Sequence, residues 1–421
     1  MRTLFLSFLC AVSLSVSAQK RIFIPEDLRS IDFTCDSSRY SWMHSTQTRD
    51  LVFFWEKGFG DNPANPPQLE GHPMSFDLES LKDRVQYFYH FFRDTLRFSL
   101  PGSKADRYKM MVMINYSLEG TAYGGTYDNF IGALWVTPNR IQDRKFNCLA
   151  HELGHSFQLQ IQADSLSPCW GGSGFFEMTS QWMLWLVNPD WLTDENYHFE
   201  AFKKLTHKAY LDGSNIYHSP YVITYWGEKH GLTSIADLYR DGRQGEDPVM
   251  TYQRHYGISQ QRFNDEMIDC YQRLVNLDYR HAYKETRRYA CQFATPMEAA
   301  GSGWSPKKEF TPEDYGFNAI RLTGCQSGKK VVATVAASDQ ARRQGGLRYG
   351  LVAVTAAGKA VYGKPVAHGG ASLKMPAEPL KAVYLVVMGA PAKHQRLSWD
   401  EKRPNRQYPY TVAFNKGVRP E

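Results

Sequence analysis

The segment from Asp143 to Ile161 constrains this chain more than any other. Phe146, Leu149, Ala150, Leu153 and Phe157 recur every three or four residues, which puts one apolar stripe on a helix. Within the stripe lies His151-Glu152-Leu153-Gly154-His155. Residues four apart sit one above the other on a helix. His151 and His155 can therefore aim two imidazole nitrogens at one point, as a zinc ion held at about 2.0–2.1 Å requires. Glu152 falls one residue on, placed to reach a metal-bound water without ligating. The fold must then hold this helix rigid and bring a third ligand to it from another segment.

That ligand is not the next histidine in the helix. A metzincin would carry glycine at position 158 and histidine at 161, and the residues there are Gln158 and Ile161. The candidate is Glu177, in Gly174-Phe175-Phe176-Glu177-Met178-Thr179-Ser180-Gln181-Trp182. Phe176, Thr179, Ser180, Met183 and Leu184 give this stretch helical spacing. An acid among Phe, Met and Trp is costly to bury unless it is paired or bound to a cation. Its alternative role is a first-turn carboxylate favoured by the helix dipole.

Just upstream, Gly132-Ala133-Leu134-Trp135-Val136-Thr137 reads as a strand ending at Pro138. Strand, loop and metal helix in that order resemble the zincin proteases. The resemblance implies that the strand edge, at Ala133, Leu134 and Trp135, binds extended substrate. The set His151, Glu152, His155 and Glu177 looks like a gluzincin, the zinc-peptidase clan with a HExxH helix and a downstream glutamate. In that clan the two histidines and the later glutamate hold Zn2+, and the motif glutamate activates water as general base. The implied fold class is α+β: a zincin-like catalytic domain, with a mixed sheet and active-site helices, followed by an all-β sandwich. Gluzincins often place a carboxylate three or four residues after the ligand glutamate to orient a zinc histidine. Those positions are Ser180 and Gln181, which leaves Asp164 or a backbone carbonyl for the role. Tyr217-His218-Ser219-Pro220-Tyr221 through Trp226, closing near Gly231, is similar to a gluzincin helix whose tyrosine donates to the oxyanion. Tyr217 matches best by spacing, with Tyr221 and His218 as alternatives.

The whole mature chain more closely resembles an uncharacterised family of secreted bacterial proteins with a gluzincin-like core. The likeness is carried by Phe54-Trp55-Glu56-Lys57-Gly58-Phe59-Gly60, Ile131-Gly132-Ala133-Leu134-Trp135, the HELGHSFQ stretch and Val387-Met388-Gly389-Ala390-Pro391. It implies no substrate.

The remaining organisation follows from texture. Residues 1–18 carry Arg2, an apolar stretch from Leu4 and a Val16-Ser17-Ala18 exit, the parts of a secretory signal peptide. The apolar run is too short to span a bilayer, and no later segment is long enough, so the expected location is secreted, periplasmic or cell-surface. Residues 19–80 read as a β-containing segment packing on the core, 81–305 as the zincin-like domain, and 310–418 as the sandwich, with Val/Ala/Tyr runs separated by Gly, Pro and Asn. A net charge of +6 on 421 residues, with no run of five Lys/Arg, argues against nucleic acid. Protein or glycoprotein is the expected partner, and oligomeric state stays open.

Six cysteines follow the leader (Cys35, Cys148, Cys169, Cys270, Cys291, Cys325), as disulfides or as buried thiols. Trp170, Trp182, Trp185 and Trp191 suit a core better than sugar stacking, Tyr123–Tyr127 reads as a turn, and His394 as part of a solvated loop. The competing function is an inactive zincin scaffold that binds carbohydrate or a surface, motivated by the aromatic content and the β-rich C-terminus.

Overall fold

A computed structural model describes residues 19–164, 170, 174–397 and 404–421. The leader reading of residues 1–18 and the thiol of Cys169 lie outside them. The chain is α+β, as its pattern predicts. Its first sheet comprises β1 (Ser45–Gln47), β2 (Leu51–Trp55), β3 (Met110–Ile114), β4 (Ala122–Tyr127) and β5 (Ile131–Val136), in the order β1-β2-β3-β5-β4. β2 and β3 are unbroken apolar runs, Leu-Val-Phe-Phe-Trp and Met-Met-Val-Met-Ile, with every residue buried. Such runs suit parallel strands covered on both faces, and β2–β3 and β3–β5 do pair in parallel. The N-terminal segment is thus an integral edge of this sheet. β4 runs antiparallel to β5 and leaves the far edge open.

One helix lies against this sheet, and a second packs on that helix. The motif helix, Asn147–Ala163, starts after Phe146, whose φ of 53° is left-handed. That conformation costs a non-glycine residue about 1–2 kcal/mol, offset by burial of the ring, which is 2% exposed. Ser156 Oγ donates to the Ala133 carbonyl at 2.7 Å, and the Gly132 N–H donates to Gln160 Oε1 at 2.8 Å. Both bonds bolt the helix to β5. The glutamate helix, Phe175–Val187, is buried along nearly its whole length. Its closest approach to the motif helix is at Gly154, where a Cβ would come within 2.8 Å of Ser180 Oγ.

The C-terminal strands form two five-stranded sheets. One has the order β11-β10-β13-β8-β15, from β8 (Phe317–Thr323), β10 (Leu347–Thr355), β11 (Ala360–Tyr362), β13 (Leu380–Gly389) and β15 (Arg419–Pro420). The other has the order β12-β9-β14-β7-β6, from β6 (Met297–Ala300), β7 (Gly303–Pro306), β9 (Lys330–Ala337), β12 (Gly370–Lys374) and β14 (Tyr410–Phe414). β6 and β7 precede the boundary drawn at 310. They form a short, polar hairpin whose composition gave no strand signal, and it joins the sheet through the Trp304–Val412 pair.

The sandwich does not stand apart. Leu351, Ala353, Val383, Leu385 and Val387 face β9 and β14 in the sandwich core. The alternate residues Val352, Val354, Tyr384, Val386 and Met388 belong to the main core, where they meet the helix Gln260–Leu274. Gln272 Nε2 from that helix donates to the carbonyls of Leu351 (3.1 Å) and Gly363 (2.9 Å). No helix among the described residues is long and apolar enough to cross a membrane.

At the start of β2, Asp50 is fully buried and pairs with Lys20 at 2.5 Å. Burial works to raise its carboxyl, but Lys20, His90 and Gln86 outweigh that and hold it below the usual range. A lowered carboxylate contributes stability above its unfolded value, about 3.9, and that contribution is lost as pH falls through the folded value. Asp50→Asn strands the Lys20 ammonium in the core and should cost about 3–5 kcal/mol, read by urea unfolding at neutral pH. The difference from wild type should shrink in acid. Because the core is shared, calorimetry should show the sandwich and the N-terminal part melting in one transition, with matching calorimetric and van't Hoff enthalpies.

Candidate metal centre

His151 Nε2, His155 Nε2 and Glu177 Oε2 form a triangle with all three sides 3.1 Å. Among the described residues this is the one group of three or more such side chains close enough to hold a metal. The three side chains are 12%, 14% and 17% exposed, so each keeps some contact with solvent.

Which nitrogen carries each proton follows from the groups behind the rings. Gln181 Nε2 donates to the Tyr217 carbonyl at 2.7 Å, so Gln181 Oε1 is left to accept from His151 Nδ1 at 3.0 Å. Gln158 Nε2 donates to the Phe176 carbonyl and to Ser180 Oγ, both at 3.0 Å, so its Oε1 accepts from His155 Nδ1 at 3.1 Å. With both Nδ1 atoms protonated, the neutral imidazoles turn bare Nε2 lone pairs toward each other and toward a carboxylate. Three acceptors at 3.1 Å repel unless a cation or a proton lies among them. Burial works to lower the His151 imidazole, but Glu177, Glu152 and Gln181 outweigh it and raise it. Burial likewise works to raise Glu177, and its two histidines pull it far below the usual carboxylate range.

Glu152 stands beside this triangle without joining it. Its Oε2 accepts from the Gly124 N–H at 2.8 Å, and burial raises its carboxyl above the ordinary value. Gly124 is Leu134's partner across the β4–β5 pair, yet its N–H goes to Glu152. The outer edge of β4 therefore runs past this carboxylate. A Cβ on Gly124 would lie 1.7 Å from the Glu152 carbonyl oxygen. Gly124, one of two glycines in Ala-Tyr-Gly-Gly-Thr-Tyr that read as turn signals, is what lets strand and helix come so close.

Tyr217 belongs to the site, though not to a helix: the helix begins at Tyr221, after Pro220. Its ring stacks on that of His151 at 6.2 Å between centroids and 29° between planes. Burial and the nearby Glu177 charge push its phenol up to about 12. The hydroxyl is thus a protonated donor at neutral pH. The two alternatives point elsewhere. Tyr221 is wholly buried against Phe202, Trp185 and Tyr279. His218 Nδ1 lies 2.6 Å from His198 Nδ1, and burial beside His198 lowers its imidazole to about 4.

Several sequence expectations need correction. Ala133, Leu134 and Trp135 are on an interior strand, enclosed between β3 and β4, so β5 offers no edge to a substrate. The open edge is β4. Asp164 is at the far end of the motif helix, accepting from the Lys104 N–H (3.0 Å) and Gln160 Nε2 (3.2 Å), and orients neither histidine. Ser180 and Gln181, the neutral residues at the carboxylate positions, do that work together with Gln158. A glutamine on a buried helix face must find partners, which was the available signal for Gln158. His394 is not solvated: its ring lies between Asp247 Oδ2 (2.6 Å) and the Tyr315 hydroxyl (3.1 Å), partners too distant in sequence to anticipate. Trp170, Trp182, Trp185 and Trp191 are all core, so none is a sugar platform. Cys35, Cys148, Cys270, Cys291 and Cys325 are free thiols, and burial pushes that of Cys148 up to about 12.

The sequence pattern of DUF6055, a family of unknown function, matches residues 14–420, and the chain belongs to that family. No curated protein matches it. Among solved structures, the ZmpB metallopeptidase from Clostridium perfringens aligns at 12% identity over 90% of this chain and 67% of that one, with a TM-score of 0.32.

Because the helix backbone occupies the space beside Gly124, Gly124→Ala must push β4 off the motif helix. The expected cost is about 1–3 kcal/mol, as for an overpacked core. Thermal unfolding measures it, and amide exchange should show the Gly124 N–H released from Glu152.

Proposed function

We propose that this protein is a zinc-dependent metallopeptidase that cleaves proteins or glycoproteins outside the cytoplasm. The observation that carries this reading is the convergence of three lone-pair donors at 3.1 Å with a fourth, unligated carboxylate beside them. Two imidazole nitrogens and one carboxylate oxygen are a catalytic zinc donor set, leaving one position open. Tetrahedral bonds of about 2.0–2.1 Å put ligand atoms roughly 3.3–3.4 Å apart, so the triangle fits with a shift of a few tenths of an ångström. Zinc, when bound, supplies Lewis acidity and lowers the pKa of its water toward about 7.

The chain's own groups supply the remainder. Glu152 has a carboxyl raised by burial, which suits a base that must both take and return a proton near neutrality. It takes the proton of the attacking water and delivers it to the leaving amine. Tyr217 keeps its proton and stands over His151, so its hydroxyl can turn to the oxygen on which charge develops. The open edge of β4 offers backbone groups to an extended peptide, by the strand addition common in peptide recognition. Tyr123, 58% exposed on that strand, would meet the peptide's side chains. The extracellular location rests on the N-terminal leader reading.

Metal analysis of purified protein should find one zinc per chain, and a peptide-library digest should find cleavage that a chelator abolishes and zinc restores. Glu152→Gln should keep the zinc and lower kcat by at least about 10²–10⁴. Tyr217→Phe should lower kcat about 10²–10³-fold with little change in KM. Wild-type protein that takes up no zinc would overturn the proposal.

A further inference from the structure

Gln181 sits one helical turn after Glu177, is 3% exposed, and has both ends of its amide committed. Its oxygen accepts from His151 Nδ1 at 3.0 Å. Its nitrogen donates to the backbone carbonyl of Tyr217 at 2.7 Å and lies 3.3 Å from His198 Nε2. Tyr217 in turn stacks on His151. His151, Gln181 and Tyr217 thus close a ring of contacts. One of its members is a candidate metal ligand and one is the proposed oxyanion donor.

We infer that Gln181 is a positioning residue that makes the grip on the metal and the placement of Tyr217 a single mechanical unit. This rests on the zinc-peptidase reading above. The chemistry of the side chain carries the argument. A carboxamide has one accepting end and one donating end, and turning it over would set N–H against N–H and oxygen against oxygen. Its orientation is therefore unique, and it holds the His151 tautomer and the Tyr217 carbonyl at the same time. A carboxylate would accept from His151 more strongly but would face the Tyr217 carbonyl with another acceptor and let it go. Glutamine suits this position because the position has two tasks. The loop gains a second hold from the residue after Tyr217, where His218 meets His198 at 2.6 Å.

Two variants of the full-length protein separate this inference from its alternatives. Gln181→Glu should retain zinc at least as well as wild type in competition with a chromophoric chelator. Its segment 214–219 should nevertheless exchange amide hydrogens faster, and kcat should fall with KM nearly unchanged. Gln181→Met, of similar volume and with neither hydrogen bond, should loosen zinc by about 10–100-fold, the usual loss for a ligand-orienting partner, and loosen segment 214–219 as well. Tyr217→Phe added to Gln181→Glu should lower kcat much less than it does in wild type, because the tyrosine is already misplaced. The inference is overturned if segment 214–219 exchanges at the wild-type rate in both variants, or if the Tyr217→Phe and Gln181→Glu effects on kcat simply multiply. Should the wild-type chain bind no zinc, the functional reading fails. The exchange comparison on metal-free protein then still decides whether Gln181 holds the Tyr217 loop.

Discussion

Like-natured lone pairs directed at one spot are unstable neighbours, and the protein spends much of its architecture holding three of them together. Each imidazole is fixed from behind by an amide oxygen, Gln181 for His151 and Gln158 for His155. Each amide is fixed by its own nitrogen on the backbone of another segment, at Tyr217 and Phe176. Glu177 comes from a helix buried on nearly every side. An arrangement held in this way could take a positive ion among the three atoms, as preorganised sites do.

The same requirement explains the two close approaches that frame the site. Gly154 lets the glutamate helix come near enough for Glu177 to reach both histidines, and Gly124 lets β4 lie against the motif helix at Glu152. Gly154 lies within the His151–His155 motif and Gly124 faces the same motif from β4, so two neighbouring elements approach it closely at positions without a side chain.

How much of this was legible beforehand depended on whether the signal was local. The motif helix and the helical stretch bearing Glu177 announced themselves through periodicity, β5 through its apolar run before Pro138, and the histidine–histidine–glutamate set followed from spacing and from the cost of burying an acid. Strand order does not live in local pattern. β5 looks like a substrate-binding edge until β4 pairs with it, and β4 was hidden because its two glycines resemble a turn. The orienting groups were missed because they are neutral. A search for carboxylates passes over Ser180, Gln181 and Gln158, whose importance lies in partners far along the chain. Tyr217 was found by its spacing although the helix expected to carry it starts four residues later, at Tyr221.

The double burial of β10 and β13 reaches beyond stability. A sheet with one face in its own sandwich and the other in a neighbouring helical core cannot be detached and joined to a different protein, as bead-like accessory domains can. Evolution must keep or alter the two parts together. The family pattern, running unbroken from residue 14 to residue 420, is what such joint inheritance would leave behind.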